Sequence, residues 1–169
     1  MIVVLMGVTG SGKSTIGALL VQRTGAVFAD GDDYHPEANK AKMAAGQPLT
    51  DEDRQPWLEA LNRVMRGWYE AGKSGVIACS ALKEKYRDTL SVGIPEGDLR
   101  FVWLDGPKAL IAKRLAGRHH EFMNSSLLDS QFAALELPTD ALRIEVNRDP
   151  EEIVDQILER VPLMPTAKK

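Results

Sequence analysis

A glycine-rich segment near the start of the chain has the residue types and spacing that bind a nucleoside triphosphate. It fits the pattern G-x-x-x-x-G-K-[ST] at every constrained position, and an apolar run precedes it. Glycines let the backbone curl so that successive N–H groups point at phosphate oxygens, and the positive end of the following helix adds to the attraction. The residues that this pattern assigns to the nucleotide are Gly7, Val8, Thr9, Gly10, Ser11, Gly12, Lys13, Ser14 and Thr15.

Four side chains in and after this segment have the chemistry of phosphoryl transfer. Lys13 is expected to reach the β- and γ-phosphates, and the Ser14 hydroxyl to ligate Mg²⁺. A carboxylate can orient an acceptor hydroxyl and take its proton, and we assign this role to Asp32. A second carboxylate can orient Mg²⁺ through its water shell, and we assign Asp30 to that place. The residues leave open an exchange of these two roles, and an acidic turn without function is the alternative.

Further polar side chains are expected beside the acceptor. His35 either hydrogen-bonds a polar substrate or caps the helix that starts at Pro36. Arg54, Lys83 and Arg87 supply cations, and arginine suits bidentate contacts with a carboxylate. These residues therefore predict cations near the acceptor pocket.

A second group of cations ends a predicted helix later in the chain. Arg114 and Arg118 are four residues apart, and hence on one face if the helix extends that far. Such a pair can close over the phosphates, neutralise transition-state charge and exclude water. The alternative is a favourable arrangement of cations at a helix C-terminus. We predict catalytic roles for both arginines and a small mobile lid at about residues 117–126, and we expect no zinc site at the adjacent His119 and His120.

The elements that must position these residues alternate along the chain. Apolar runs predict strands, and periodic or capped segments predict helices between them, so the pattern indicates an α/β fold with one parallel sheet and helices on both faces. Ligands then bind beyond the carboxyl ends of the strands. The predicted strands are Ile2 to Met6, Ala26 to Ala29, Val76 to Cys79, Phe101 to Leu104 and Leu142 to Val146. The predicted helices include Lys13 to Thr24, a segment from Pro36 to Gly46, one from Thr50 to Gly72, one that starts with Ser80 and Lys83, Pro107 to Gly117, Leu127 to Glu136 capped by Ser126, and one opened by Asp149.

Length and composition limit the remaining possibilities. With 169 residues, 44% hydrophobic and 27% charged, the chain is expected to form a single folded domain. Its formal charge of −3 argues against a protein that coats nucleic acid, and no apolar stretch is long enough for a membrane span. A single cysteine, Cys79, suits a reducing compartment, so we expect a cytoplasmic protein.

Blocks of residues over most of the chain resemble the gluconokinases of the small P-loop type. The blocks beyond the phosphate loop are Asp30 to Asn39, Lys42 to Trp57, Cys79 to Lys83 with Tyr86 to Asp88, and Leu127 to Phe132 with Leu135 and Glu136. The resemblance implies phosphorylation of D-gluconate to 6-phospho-D-gluconate by ATP, Mg²⁺ dependence, a P-loop NTPase fold of three α/β/α layers with a five-stranded parallel sheet, and a homodimer. It also implies one kinase domain over residues 1–169, with an acceptor-binding helical segment at about 34–72.

The resemblance implies individual site residues as well. Asp32, His35, Arg54, Lys83 and Arg87 fall on the sugar-acid side, and Gln131 is implied to bind substrate or else to be a surface amide. One position departs from the family, because Asn124 stands where the family usually has a proline in the lid.

Two alternatives of different classes stay open. A kinase for another small hydroxylated acid, such as shikimate, could use the same sheet, although shikimate kinases typically carry a Gly-Gly-Gly turn where this chain has Ser80 to Lys83. A nucleotide-binding regulator without catalysis is the other. It would require loss of Lys13, Asp32 or the lid arginines, and all of them are present.

Overall fold

Five parallel strands form one sheet at the centre of the protein. The structure is a computed structural model that describes residues 1–117 and 125–163, except for the side chains of residues 125–127. The strand order is β2-β3-β1-β4-β5. The strands are β1 (Ile2–Met6), β2 (Val27–Asp30), β3 (Gly75–Ala78), β4 (Leu99–Asp105) and β5 (Leu142–Glu145). The predicted α/β fold with a five-stranded parallel sheet is confirmed.

β1 holds the middle of the sheet because every one of its residues is apolar and excluded from solvent. Val4 pairs with Ile77 on β3 and with Phe101 on β4. Alternate side chains of β1 enter two cores on opposite faces, with Val4 and Met6 in one and Val3 and Leu5 in the other. The segment that leaves the carboxyl end of β1 is therefore anchored at the most rigid part of the fold.

Helices cover both faces of the sheet and complete three layers. On one face, Ile16 and Leu20 of α1 pack with Ile153 and Ile157 of α7; on the other, α3 and α4 supply Leu61 and Leu90, among others. The helices are α1 (Lys13–Thr24), α2 (Glu37–Ala44), α3 (Asp51–Glu70), α4 (Glu84–Ser91), α5 (Lys108–Ala116), α6 (Ser125–Ala134) and α7 (Pro150–Arg160).

The start of α3 shows how local sequence sets a helix boundary. The Asp53 N–H donates to Thr50 Oγ1 at 3.1 Å, and the Thr50 N–H donates to Asp53 Oδ2 at 2.8 Å. This capping box satisfies two backbone donors that a helix start leaves free, as the sequence predicts. The helix then continues through Pro56, and its apolar face buries Trp57 and Met65 against the sheet.

Two helix starts differ from the prediction. α4 begins at Glu84 rather than at Ser80, with Lys83 as its N-cap, and Ala81 before it takes a left-handed φ of 49°. α6 spans Ser125–Ala134 and not Leu127 to Glu136. The reason for its earlier end is tertiary: the Glu136 N–H donates to Leu82 O at 2.8 Å, and Glu136 Oε1 accepts from the Glu84 N–H at 2.9 Å. Glu136 therefore leaves α6 to satisfy the start of α4.

Part of the predicted lid lies outside the described residues. Residues 118–124, with Arg118, both adjacent histidines and Asn124, belong to this part of the chain. Within the described ranges, none of the helices combines the length and the apolar character that crossing a bilayer requires.

Candidate active site

The phosphate loop leaves β1 and turns directly into α1. Gly7 has a φ of 149°, and a Cβ at this position would lie 2.8 Å from both Leu104 O and Ser11 Oγ. Gly10 has a φ of 85°, and a Cβ there would lie 2.9 Å from the Leu115 side chain. Only glycine meets both the backbone geometry and the close approach at these positions. The glycines let the loop wrap tightly over the end of the sheet.

The loop leaves an anion-binding end of α1 open. Gly12 is the N-cap with no side-chain cap, nothing lies within 4 Å of where its Cβ would be, and the first turn of α1 carries no acidic residue. The backbone N–H groups of this turn and the helix dipole therefore face open space. The buried Ser11 hydroxyl has no hydrogen-bond partner in the part of the chain that the structure describes. These features fit a bound polyphosphate.

Lys13 lies within the curl of the loop. Its Nζ donates to Gly7 O at 2.8 Å and to Val8 O at 3.1 Å. Burial lowers the pKa of Lys13, and the nearby charges of Asp32 and Asp30 oppose that effect. The ammonium group is thus bound by the loop, near the carboxylates of Asp30, which ends β2, and Asp32, which follows it.

Ser14 and Asp30 lie together at the start of α1 and the end of β2. Ser14 Oγ donates to Asp30 Oδ2 at 3.1 Å, and Asp30 Oδ1 accepts from the Asp32 N–H at 3.0 Å. A hydroxyl and a carboxylate are hard oxygen donors of the kind that Mg²⁺ prefers. The two residues predicted for the metal therefore fit it, although among the described residues no group of three or more His, Cys, Asp or Glu side chains forms a metal site of its own.

Asp32 has the properties of a proton acceptor. It reaches solvent, and yet desolvation by the surrounding atoms and the charge of Asp30 raise its pKa, against the opposing effect of Lys13. A raised pKa increases the affinity of the carboxylate for a proton, which is what a general base for an acceptor hydroxyl needs.

His35 is buried and held in one orientation. Its ring stacks on Trp57 with centroids 4.1 Å apart, and its Nδ1 lies 3.2 Å from Asn39 Nδ2. Because the Asn39 amide donates there, Nδ1 is the acceptor and Nε2 carries the proton. Burial and the charges of Arg54 and Lys40 lower the pKa of His35 to about 4. The alternative that His35 caps α2 is wrong, since Pro36 is the N-cap of that helix.

We expect His35 to make the protein less stable in mild acid. Its pKa is about 4 in the folded chain and 6.5 ordinarily, so the unfolded chain binds more protons between these values. The contribution is fully present above about pH 6.5 and declines as pH falls, by up to about 1.4 kcal/mol per pH unit. Urea unfolding at several pH values checks this, and a His35→Asn variant should show a shallower pH slope. Equal slopes in the two proteins would contradict it.

The predicted cations Arg54 and Lys83 meet around one tyrosine. Arg54 lies 5.6 Å and Lys83 5.7 Å from the centroid of the Tyr86 ring, and Arg54 Nη1 is 3.3 Å from the Tyr86 hydroxyl. The Asp51 carboxylate accepts from Lys83 at 3.2 Å and also from Lys85 and the Tyr86 hydroxyl, and these partners hold its pKa below the usual range. The cluster carries three cations and one carboxylate, so it attracts an anion.

Sequence reasoning missed part of this cluster. No motif in the sequence assigns a role to Asp51 or Lys85, and Tyr86 falls only within a block that resembles the family. The charged residues at the start of α3 and of α4 were visible, but nothing local indicates that these two helix starts meet.

Arg87 and Gln131 make different contacts from those expected of substrate-binding residues. Arg87 is buried, and its Nη1 and Nη2 donate to Ala81 O at 2.8 Å and to Glu136 O at 3.0 Å. Gln131 is directed at Thr9 of the phosphate loop, with its Oε1 2.7 Å from the Thr9 N–H. The contacts of Arg87 favour a structural role, since they join the start of α4 to the segment after α6.

Arg114 is the one lid arginine that the described residues include. Its Nη2 donates to Val146 O at 2.5 Å, so the guanidinium group lies against the backbone that follows β5. α5, which carries Arg114, packs on the phosphate loop through Ile111 and Leu115, which are buried with Val8 in one apolar cluster. Arg114 is therefore close to the loop but held by a backbone carbonyl.

Comparison with known proteins places these features in a family. The family model described as "AAA domain" matches residues 2–138. The thermosensitive gluconokinase of Escherichia coli K12 is 45% identical over 162 residues, covering 94% of this chain and 86% of that protein. Among solved structures, an unliganded sugar kinase from Janibacter sp. HTCC2649 has a TM-score of 0.88 at 43% identity, covering 99% of this chain and 98% of that one.

A second solved structure agrees with the first. A gluconokinase from Sinorhizobium meliloti 1021 has a TM-score of 0.83 at 41% identity, and the match covers 93% of this chain and 89% of that one. Since these matches cover most of the chain at more than 40% identity, the chain belongs to the gluconokinase family of P-loop kinases.

Proposed function

We propose that this protein transfers the γ-phosphoryl group of ATP to D-gluconate and forms 6-phospho-D-gluconate and ADP. The observation that carries the proposal is that Asp30 joins the start of α1 to the turn of Asp32, since its carboxylate accepts from Ser14 Oγ and from the Asp32 N–H. Asp32 therefore lies at the same edge of the sheet as Lys13 in the phosphate loop. A phosphate-binding cation beside a proton acceptor is the arrangement that phosphoryl transfer to a hydroxyl group needs. The family membership supplies the identity of the acceptor.

In the proposed step, the 6-hydroxyl oxygen of gluconate bonds to the γ-phosphorus as the bond to the β–γ bridging oxygen breaks. The hydroxyl proton passes to the Asp32 carboxylate, and ADP leaves with the bridging oxygen. Lys13 and the N–H groups at the start of α1 hold the phosphates. Ser14 and Asp30 would hold Mg²⁺, which offsets negative charge on the phosphates when it is bound. Catalysis then consists mainly of positioning and charge neutralisation.

The acceptor is held by the groups after β2 and at the starts of α3 and α4. Arg54 and Lys83 are the proposed partners of the gluconate carboxylate, because both lie in a cluster with an excess of positive charge. His35 is the proposed hydrogen-bond donor to a sugar hydroxyl through Nε2, which has no partner among the described residues. The neutral imidazole makes this contact independent of pH near neutrality, since the pKa of His35 is about 4.

The remaining candidate site residues are proposed with different degrees of support from their contacts; they are Arg87, Gln131, Arg114 and Arg118. Arg114, on α5, and Arg118, in the lid at about 117–126, are proposed to neutralise charge on the transferred group. Substrate binding by Arg87 and Gln131 is disfavoured by the protein contacts that each side chain makes. The acceptor-binding segment at about 34–72 keeps its proposed role, since it carries His35 and Arg54.

The test of the function is ADP release with MgATP against a panel of acceptors. The panel contains D-gluconate, its epimers, shikimate, glycerate and nucleosides. We expect strong stimulation by D-gluconate and little by the other compounds. Stimulation by another acid would retain the mechanism and overturn the substrate. No stimulation by any acceptor, with ATP bound normally, would favour a nucleotide-binding regulator.

Assembly and location are further proposals from the resemblance and the composition. We propose a homodimer that acts in the cytoplasm. Light scattering after size-exclusion chromatography should then give twice the mass of the chain. A monomeric mass at micromolar concentration, with full activity, would contradict the dimer.

A further inference from the structure

The phosphate loop receives a second fixing point from α6, far away in sequence. Gln131 Oε1 accepts from the Thr9 N–H at 2.7 Å, and Gln131 Nε2 donates to Thr9 Oγ1 at 2.9 Å. Both ends of one amide group thus bind the backbone and the side chain of one residue, across 122 positions of sequence. Such a paired contact fixes orientation as well as distance.

The tip of the loop needs such a contact because its own backbone is permissive. Gly7, Gly10 and Gly12 all have φ values in the left-handed half of the map, and glycine has many conformations to lose. At its base, the loop is tied by the Gly7 N–H, which donates to Ser80 O at 3.2 Å. The described hydrogen bonds to Thr9 come from Gln131 alone.

α6 is a firm support for this contact. Leu128 is buried with Val8, Ile111 and Leu115, and Phe132 packs against the same cluster. The helix is therefore joined to α5 and to the loop by apolar contacts on either side of Gln131. A side chain presented from a packed helix loses little additional entropy when it binds.

We propose that Gln131 is a positioning residue for the nucleotide. Its two hydrogen bonds to Thr9, which we call the latch, hold the phosphate loop in its ATP-binding conformation before ATP binds. The resemblance leaves Gln131 as either a substrate ligand or a surface amide, but both of its polar ends are hydrogen-bonded to Thr9. The inference deepens the proposed function, since it concerns the same site, and it predicts an effect on nucleotide rather than on D-gluconate.

The first test replaces the amide with an apolar side chain of similar size. In Gln131→Leu, we expect the dissociation constant of Mg–AMPPNP, measured by calorimetry without acceptor, to rise about tenfold, because two hydrogen bonds that hold the loop are lost. The KM for MgATP should rise to a similar extent, while the KM for D-gluconate stays within twofold. Ser130→Ala, an exposed position on the same helix, is the matched control and should change neither.

A substitution at Thr9 separates the contact with Gln131 from a general loss of packing. Thr9→Val keeps the shape but loses one of the two hydrogen bonds, and should weaken binding about threefold. In the Gln131→Leu background, Thr9→Val should add nothing, because the contact is already absent.

The outcomes distinguish this proposal from the proposed function. Nucleotide binding without acceptor tests the latch even if D-gluconate proves to be the wrong substrate. An unchanged dissociation constant for Mg–AMPPNP in folded Gln131→Leu would overturn the latch. A rise in the KM for D-gluconate alone would overturn it too, and would return Gln131 to the acceptor. Additive effects of the two substitutions would show that Thr9 and Gln131 do not act together.

Discussion

Asp32→Asn is expected to lower kcat by about 10²–10⁴-fold while MgATP still binds. The amide can still accept a hydrogen bond from the acceptor hydroxyl, but it cannot take its proton. Steady-state kinetics with D-gluconate and calorimetry with Mg–AMPPNP measure the two effects separately. Because the loss concerns the chemical step, the KM for MgATP should change little.

The neighbouring Asp33→Asn is the matched control for this substitution. Asp33 lies in the same turn and is exposed, and the proposed mechanism gives it no role. Its kcat should stay within about threefold of the parent. If Asp32→Asn also stayed within threefold, the proton acceptor would have to be another group, and Asp30 would be the first to examine.

The raised pKa of Asp32 also gives a sign for stability. A carboxyl whose pKa is higher in the folded chain than in the unfolded chain contributes stability at low pH, and this contribution is lost as pH rises through the folded value. At neutral pH, the ionised Asp32 therefore destabilises the folded state, and Asp32→Asn should be at least as stable as the parent. A lower Tm would contradict this reasoning and would also weaken any conclusion from its kinetics.

Lys13→Met is the second substitution with a large expected effect. We expect kcat to fall by about 10²–10³-fold and the KM for MgATP to rise, because the cation that faces the β- and γ-phosphates is lost. Methionine keeps the length of the side chain but removes the two hydrogen bonds from Lys13 Nζ to Gly7 O and Val8 O, so the Tm of the variant is measured beside its kinetics. Kinetics at saturating D-gluconate, with MgATP varied, give both parameters.

Lys73→Met is the control for this prediction, since Lys73 is an exposed lysine remote from the loop in sequence. Its kinetics should equal those of the parent. A Lys13→Met protein that kept kcat and lost only affinity for MgATP would show that Lys13 binds the ground state and the transition state equally. Its proposed catalytic role would then be wrong.

Local patterns account for what could be predicted. The phosphate loop is continuous in sequence, and its glycines, lysine and serine dictate a turn between a buried strand and a helix. The capping box at Thr50 and the cap at Asp149, whose Oδ1 accepts from the Glu151 N–H at 3.0 Å, also depend on residues within a few positions. The strand and helix alternation then leads to the parallel sheet, whose carboxyl ends bring Lys13 and Asp32 together.

The partners of long polar side chains depended on the tertiary structure. Arg87 was expected at the acceptor and is buried on two backbone carbonyls, because the segment after α6 crosses the start of α4. Gln131 reaches Thr9 across 122 residues, and Asp51 reaches Lys83 across 32. The sequence by itself determined the phosphate loop, the order of elements and the family, because these follow from short-range backbone preferences and periodic burial. The pairing of carboxylates, amides and cations instead depends on how the helices pack. A long polar side chain has several rotamers, and it binds the polar group that the neighbouring element places within its reach.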